Sequence, residues 1–220
     1  MKTLQRTETG LDFSWALIKT VYYFIYLPCA LITAALTLIV FMGSSSHNLY
    51  ATDYFLLSLM WISILVPLGY RIFVIADKRQ KLLKMVALLT SDARFSPNKQ
   101  HQVLDAGQGK YLGIDIKSGN ILYIHMVKKG LVDVIGLTMR DWKERELEGN
   151  TLRINTKNPE VPVLSINAHP TVAKELFSTL GAMSHNSYPE SFPNEPWPLH
   201  VGIQSRFVEF EHNVVVPQVI

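Results

Sequence analysis

The sequence predicts an α+β protein, a two-helix transmembrane hairpin followed by a small, mostly antiparallel β domain capped by a C-terminal helix. Three observations carry this. No Asp, Glu, Lys or Arg occurs from Thr20 through Thr52, nor again from Tyr54 through Tyr70. From Lys110 the apolar residues recur with period two, as half-buried strands require. From Pro170 they recur with the period of a helix. The divisions that follow are an N-terminal segment 1–20, a hairpin 21–76 with spans 21–42 and 54–76, and a basic juxtamembrane helix and linker 77–109. A β domain with its capping helix covers 110–185, and a Pro-rich extended tail covers 186–220.

The first span, Val21–Met42, would be about 33 Å long as a helix at 1.5 Å per residue, enough to cross a hydrocarbon core of about 30 Å. Pro28 near its start predicts a kink that a membrane helix tolerates. Tyr22, Tyr23 and Tyr26 cluster at one end, as interfacial aromatics do, and Trp15 lies upstream at headgroup level. The long charged leader and an apolar run well beyond the usual 7–15 residues favour a retained anchor over a cleaved signal. Ala30 and Ala34 have small-x-x-x-small spacing, a candidate helix-packing face within the hairpin or between protomers of a homo-oligomer. The lone cysteine, Cys29, reads as a small packing residue and excludes an internal disulfide framework.

The second span, Tyr54–Ala76, is apolar except for Arg71. Lys19 and Arg71 sit at the edges of the spans, so both read as snorkelling to headgroups rather than lining a transport path. Lys78, Arg79, Lys81 and Lys84 follow at once, while Gly43–Asp53 between the spans holds no Lys or Arg. By the positive-inside rule both termini face the cytoplasm and the short loop faces out. Beyond residue 90 the chain carries 13 Lys/Arg against 14 Asp/Glu, so the net +3 resides beside the membrane. That distribution fits a lipid bilayer with anionic headgroups as partner, and it excludes the basic domain surface that nucleic acid needs.

Asp77–Thr90 continues the second helix, and Ser91–Gly109 reads as an irregular connection. Lys110–Val127 is a hairpin around Lys117-Ser118-Gly119-Asn120. Leu131–Leu137 is a third strand, and Asp141–Glu148 reads as a fourth with Trp142 as its inward anchor, although its charge density would also suit a helix. Thr151–Thr156 and Val161–Asn167 complete the set, with Pro162 restricting the last to an edge or a strand start. Pro170–Met183 is an amphipathic helix with Pro in its first turn. The order resembles a pleckstrin-homology-like (PH-like) architecture. In the tail, Pro189, Pro193, Pro196 and Pro198 predict extended chain, with Arg206–Phe210 as a further strand and Trp197 and Phe207 needing cover.

No catalytic constellation is present in the pattern, and no cofactor or metal is implied. Gly107-Gln108-Gly109-Lys110 lacks the spacing and the Ser/Thr of a phosphate loop and reads as a turn. Asp115, Ser118 and Asn120 are cation-ligand types, but a hairpin turn selects the same residues. Glu144, Glu146 and Glu148 alternate with Lys143 and Arg145 as on a solvated strand edge.

The opening Met1-Lys2-Thr3-Leu4-Gln5-Arg6 through the apolar run Val21–Met42, in a 220-residue layout, resembles the ExcA-type surface (entry) exclusion proteins of I-complex conjugative plasmids. The resemblance implies a non-enzymatic factor in the bacterial inner (cytoplasmic) membrane of a recipient cell. Such a factor blocks redundant conjugative transfer by recognising a donor conjugation-apparatus membrane protein of the TraY type. It carries over no catalytic residues. The residues by themselves leave open a membrane-tethered adaptor whose PH-like domain binds lipid headgroups or a membrane protein complex.

Overall fold

The computed structural model describes residues 17, 20–43, 51–189 and 192–217. Trp15 and Lys19, which the sequence places at headgroup level, lie outside them. Helix α1 is Leu27–Gly43, preceded by a π turn at Tyr22–Tyr26, and α2 is Ala51–Leu89. The β domain contributes β1 (Gln102–Asp105), β2 (Lys110–Asp115), β3 (Asn120–Lys128), β4 (Leu131–Leu137), β5 (Trp142–Glu148), β6 (Thr151–Thr156) and β7 (Val163–Asn167). Helices α3 (Pro170–Ser184) and α4 (Trp197–His212) complete the chain. It divides into two compact units between Phe73 and Val74, inside α2.

The stretches Tyr22–Ile39, in the first unit, and Ser58–Leu89, which runs from the first into the second, mark two helices long and apolar enough to cross a membrane. The chain meets Pro28 with a π turn, Leu27 donating its N–H to the Tyr22 carbonyl. Pro28 has no N–H to offer the Phe24 carbonyl, so the ordinary ladder is already interrupted there and the wider register costs little more. Pro67 inside α2 likewise leaves the Ser63 carbonyl without its helical donor. The Tyr22 hydroxyl donates to that carbonyl at 2.8 Å, and the Tyr26 hydroxyl lies 2.6 Å from Ser63 Oγ. Two of the tyrosines predicted as interfacial anchors therefore also tie α1 to α2. Ala30 and Ala34 are buried against Ile64, with Leu27, Met60 and Leu68 around them. Their small side chains let the two helices of one chain approach closely. Tyr22→Phe is expected to weaken this hairpin by about 1 kcal/mol, measured as steric-trap or detergent unfolding of the full chain.

The second unit is built on two antiparallel sheets, ordered β1-β2-β3-β4 and β5-β6-β7. One face of the first sheet, with Ile114, Ile121, Tyr123 and Ile135, packs on Leu152, Ile154, Leu164 and Ile166 of the second and on Leu176 and Leu180 of α3. Its other face, with Tyr111, Leu122, Ile124, Val132 and Val134, is covered by Leu82, Met85 and Leu89 of α2 and by Trp197, Val201 and Val208 of α4. The first sheet is thus buried on both sides, which is why every residue of β4 is buried. Polar bonds join the sheets: the Tyr123 hydroxyl donates to the Ser165 carbonyl at 3.1 Å, and Lys110 Nζ to Ser165 Oγ at 2.9 Å. Burial pushes the Tyr123 phenol above its ordinary range and lowers the Lys110 amine.

Two expectations are corrected. The connection 91–109 contains a strand, β1, which pairs with β2 from Gln102↔Gly113 to Asp105↔Lys110. The tail is not extended and adds no strand at Arg206–Phe210, because Trp197–His212 is a 16-residue helix. Its prolines do not oppose that helix. Pro196 precedes it and Pro198 is its second residue, where a missing N–H goes unused. Trp197 finds cover, but Phe207 does not.

Candidate recognition cleft

The β2–β3 turn must reverse the chain in four residues, and Asp115 organises it. Its Oδ1 accepts the Lys117 N–H at 2.9 Å and its Oδ2 the Ser96 N–H at 3.1 Å. Asn120 donates its side-chain amide to the Arg94 carbonyl at 3.1 Å. These residue types therefore serve the turn and its neighbour rather than a cation, and among the described residues no cluster of three or more metal-ligating side chains occurs. Gly119 holds φ at +75°, and the Tyr188 ring lies beneath it so closely that a Cβ would sit 2.5 Å from Tyr188 Cγ. Gly119→Ala is expected to cost about 2 kcal/mol from the left-handed backbone alone, read as a lower midpoint in denaturant.

The turn, the β4–β5 connection and the segment after α3 enclose a cleft of about 250 Å³. Arg94, Asn120, Arg140, Tyr188 and Phe192 line it, with Trp197 at its base. Arg94 is fixed on three sides. Its guanidinium donates to the Glu195 carbonyl at 2.9 Å and to Glu195 Oε2 at 2.8 Å, and it stands 4.1 Å from the Phe192 ring centroid. His200 Nδ1 lies 2.9 Å from Glu195 Oε1, and since a carboxylate only accepts, that nitrogen carries the proton. Ser118 Oγ and the Tyr188 hydroxyl, both on lining residues, are buried without a hydrogen-bond partner among the described residues. A buried polar group left unpaired costs about 1–3 kcal/mol, so both hydroxyls weigh against the stability of the cleft wall.

The hydrogen bond from His200, and after it the Arg94 charge, hold the Glu195 carboxyl below its ordinary value of 4.5. A carboxyl with a depressed folded-state pKa stabilises the fold fully above that ordinary value and loses the contribution as pH falls through the folded one. Thermal midpoints should therefore drop more steeply below about pH 4.5 in the parent than in Glu195→Gln, with the two curves differing most near neutrality.

Of the basic residues predicted to flank the membrane, Lys78, Arg79, Lys81 and Lys84 in the second unit do not line this cleft. Arg71, in the first unit, is exposed with its guanidinium 5.2 Å from the Tyr23 ring. Lys78 is half-buried, Arg79, Lys81 and Lys84 are exposed, and Lys81 pairs with Asp77 at 2.7 Å. Sequence reasoning missed Arg94, Glu195, Phe192 and Tyr188 as a group, because about a hundred residues separate Arg94 from Glu195. The usable signal was the cluster of aromatics Tyr188, Phe192 and Trp197 among prolines, a composition that commonly marks an ordered segment needing cover.

The chain thus belongs to the class of α+β proteins that carry both long apolar helices and a domain of two antiparallel sheets. A family model described as exclusion-determining protein matches residues 1–220, and the chain belongs to that family. An exclusion-determining family points to a non-catalytic role. No curated protein and no solved structure matches the chain.

Proposed function

We propose that this protein is an entry (surface) exclusion factor of the I-complex ExcA type, held in the inner membrane of a recipient cell by spans 21–42 and 54–76 with both termini in the cytoplasm. It blocks redundant conjugative transfer by binding a donor conjugation-apparatus membrane protein of the TraY type, with the Arg94–Phe192–Tyr188 cleft as the recognition surface. Its β domain is PH-like, with four strands, then three, then a helix. The observation that carries the reading is the full-length match to the exclusion-determining family, residues 1–220. The cleft supports it by joining fixed charge, exposed aromatic surface and unused hydrogen-bonding groups in one place.

The test is a mating assay. Recipients expressing the chain should receive the cognate plasmid at reduced frequency and an unrelated plasmid at the ordinary one. Arg140→Glu, at an exposed cleft position, should restore cognate transfer by roughly tenfold for each 1.4 kcal/mol of binding lost, at unchanged membrane abundance. Equal transfer of both plasmids into expressing cells overturns the function. An active C-terminal alkaline phosphatase fusion overturns the orientation alone.

A further inference from the structure

Helix α4 is apolar on two opposite sides. Trp197, Val201, Ser205 and Val208 point into the domain and are buried. Leu199, Ile203, Phe207 and Phe210 recur at intervals of four, four and three residues and leave 51%, 45%, 59% and 92% of their surface exposed. At 100° per residue this second stripe lies nearly opposite the first. Isolated exposed apolar residues need no explanation, but four aligned along one helix, two of them phenylalanines, mark an interaction surface.

Charge decides among the candidate occupants. Arg206 and Glu211 border the stripe on its two sides, both are exposed, and neither makes an ion pair among the described residues. The carboxylates Glu209 and Glu211 outnumber the one arginine at this end of the helix, which disfavours an anionic lipid surface. With Ile203 and Phe210 as d positions and Phe207 as a of a heptad, Arg206 is a g position and Glu211 an e position. The g and following e' positions, five residues apart, are the pair that meets across a parallel two-stranded coiled coil. Two copies of α4 side by side would therefore match Arg206 to Glu211 of the other copy twice. An antiparallel pair would instead oppose arginine to arginine.

We propose that α4 is a self-association surface, pairing in parallel with α4 of a second copy of this chain through Ile203, Phe207 and Phe210. The seam is short beside the ~800 Å² per partner of a standard interface, so it suits an association assisted by confinement of both chains to one membrane. In that respect alone its strength rests on the anchored reading above.

The test uses the full chain in cell membranes, with Cys29→Ser so that each introduced thiol is the only one. Under mild oxidation Phe207→Cys and Phe210→Cys should give disulfide-linked dimers, whereas Lys174→Cys, an exposed position on α3, should not. Arg206→Glu or Glu211→Arg added to Phe207→Cys should cut the cross-link by roughly tenfold, and both charge reversals together should restore it. Cross-linking no greater at 207 and 210 than at 174 overturns the proposal. So does protection of those thiols from a water-soluble maleimide without cross-linking, which would put lipid or a foreign protein on the stripe. Failure of the double reversal to rescue overturns the parallel pairing. None of these readouts depends on plasmid transfer, so a failed exclusion assay and a failed self-association assay are separable.

Discussion

Replacing Trp197 with alanine is expected to lower the thermal midpoint of the Val74–Ile220 unit by about 10 °C, the product of a loss near 4 kcal/mol and the usual 2–4 °C per kcal/mol at this size. Three contacts converge on that indole. It is 2% exposed, its ring stacks on Phe95 with centroids 5.0 Å apart, and Nε1 donates to the Ile121 carbonyl at 2.9 Å. Alanine would leave a cavity beneath the cleft and strand a carbonyl at the start of β3. Trp197→Phe is the milder change. It keeps an aromatic on Phe95 but loses the hydrogen bond and the volume of the second ring, so its cost should be about 2 kcal/mol, well short of the alanine variant. Differential scanning fluorimetry of the full chain in detergent reads both. A Trp197→Ala midpoint equal to the parent would mean that α4 does not dock on the sheet. Because Glu195 is two residues away and holds Arg94, the same variant should also weaken exclusion more than its loss of abundance explains.

Most elements of the fold were legible because each satisfies a local rule. The bodies of β2, β3, β6 and β7 follow from alternation and from turn residues such as Lys117-Ser118-Gly119-Asn120, and β4 from a short apolar run after Lys128-Lys129-Gly130, while the charges of β5 suited a helix as well as a strand. Helix α3 follows from one apolar stripe with Pro170 in its first turn. What was not legible depends on partners distant in sequence. Strand β1 is four residues long and only half-buried throughout, too short to display a period. Helix α4 shows no amphipathic contrast, because its outer stripe of Leu199, Ile203, Phe207 and Phe210 balances its inner one, and its prolines read as extended chain. One overlooked clue was present in β3. Both of its alternating sets are apolar, Ile121 and Tyr123 on one parity and Leu122 and Ile124 on the other. Such a strand must be covered on two faces, and only the tail and the end of α2 remained to supply the second layer. The cleft was less legible than the fold, since Arg94, Asn120, Tyr188 and Phe192 meet only after both sheets have formed.

The same docked face supplies the other large effect. Gly136 lies where α4 crosses β4, and a Cβ there would stand 2.6 Å from Val201 Cγ2 and 3.1 Å from Trp197 Nε1. Both are held by packing, Val201 being almost fully buried, so neither can swing into solvent. Gly136→Ala should therefore cost about 2 kcal/mol by overpacking, although alanine is otherwise the better strand residue. Val201→Ala alone should cost a similar amount by leaving a cavity. Combined, the new methyl partly fills the space that the valine vacates, so the double variant should be more stable than the sum of the single losses by about 1–2 kcal/mol. Strict additivity would show that helix and strand do not touch at this point. Gly136→Leu exceeds any space that Val201→Ala can open, so it should detach α4 and remain unrescued. Detachment would expose the inner apolar stripe and remove Trp197 and Glu195 from the cleft together. If α4 serves both recognition and self-association, Gly136→Leu should abolish exclusion and cross-linking at Phe207→Cys in one step, whereas Arg140→Glu should affect only exclusion and Arg206→Glu should act first on self-association.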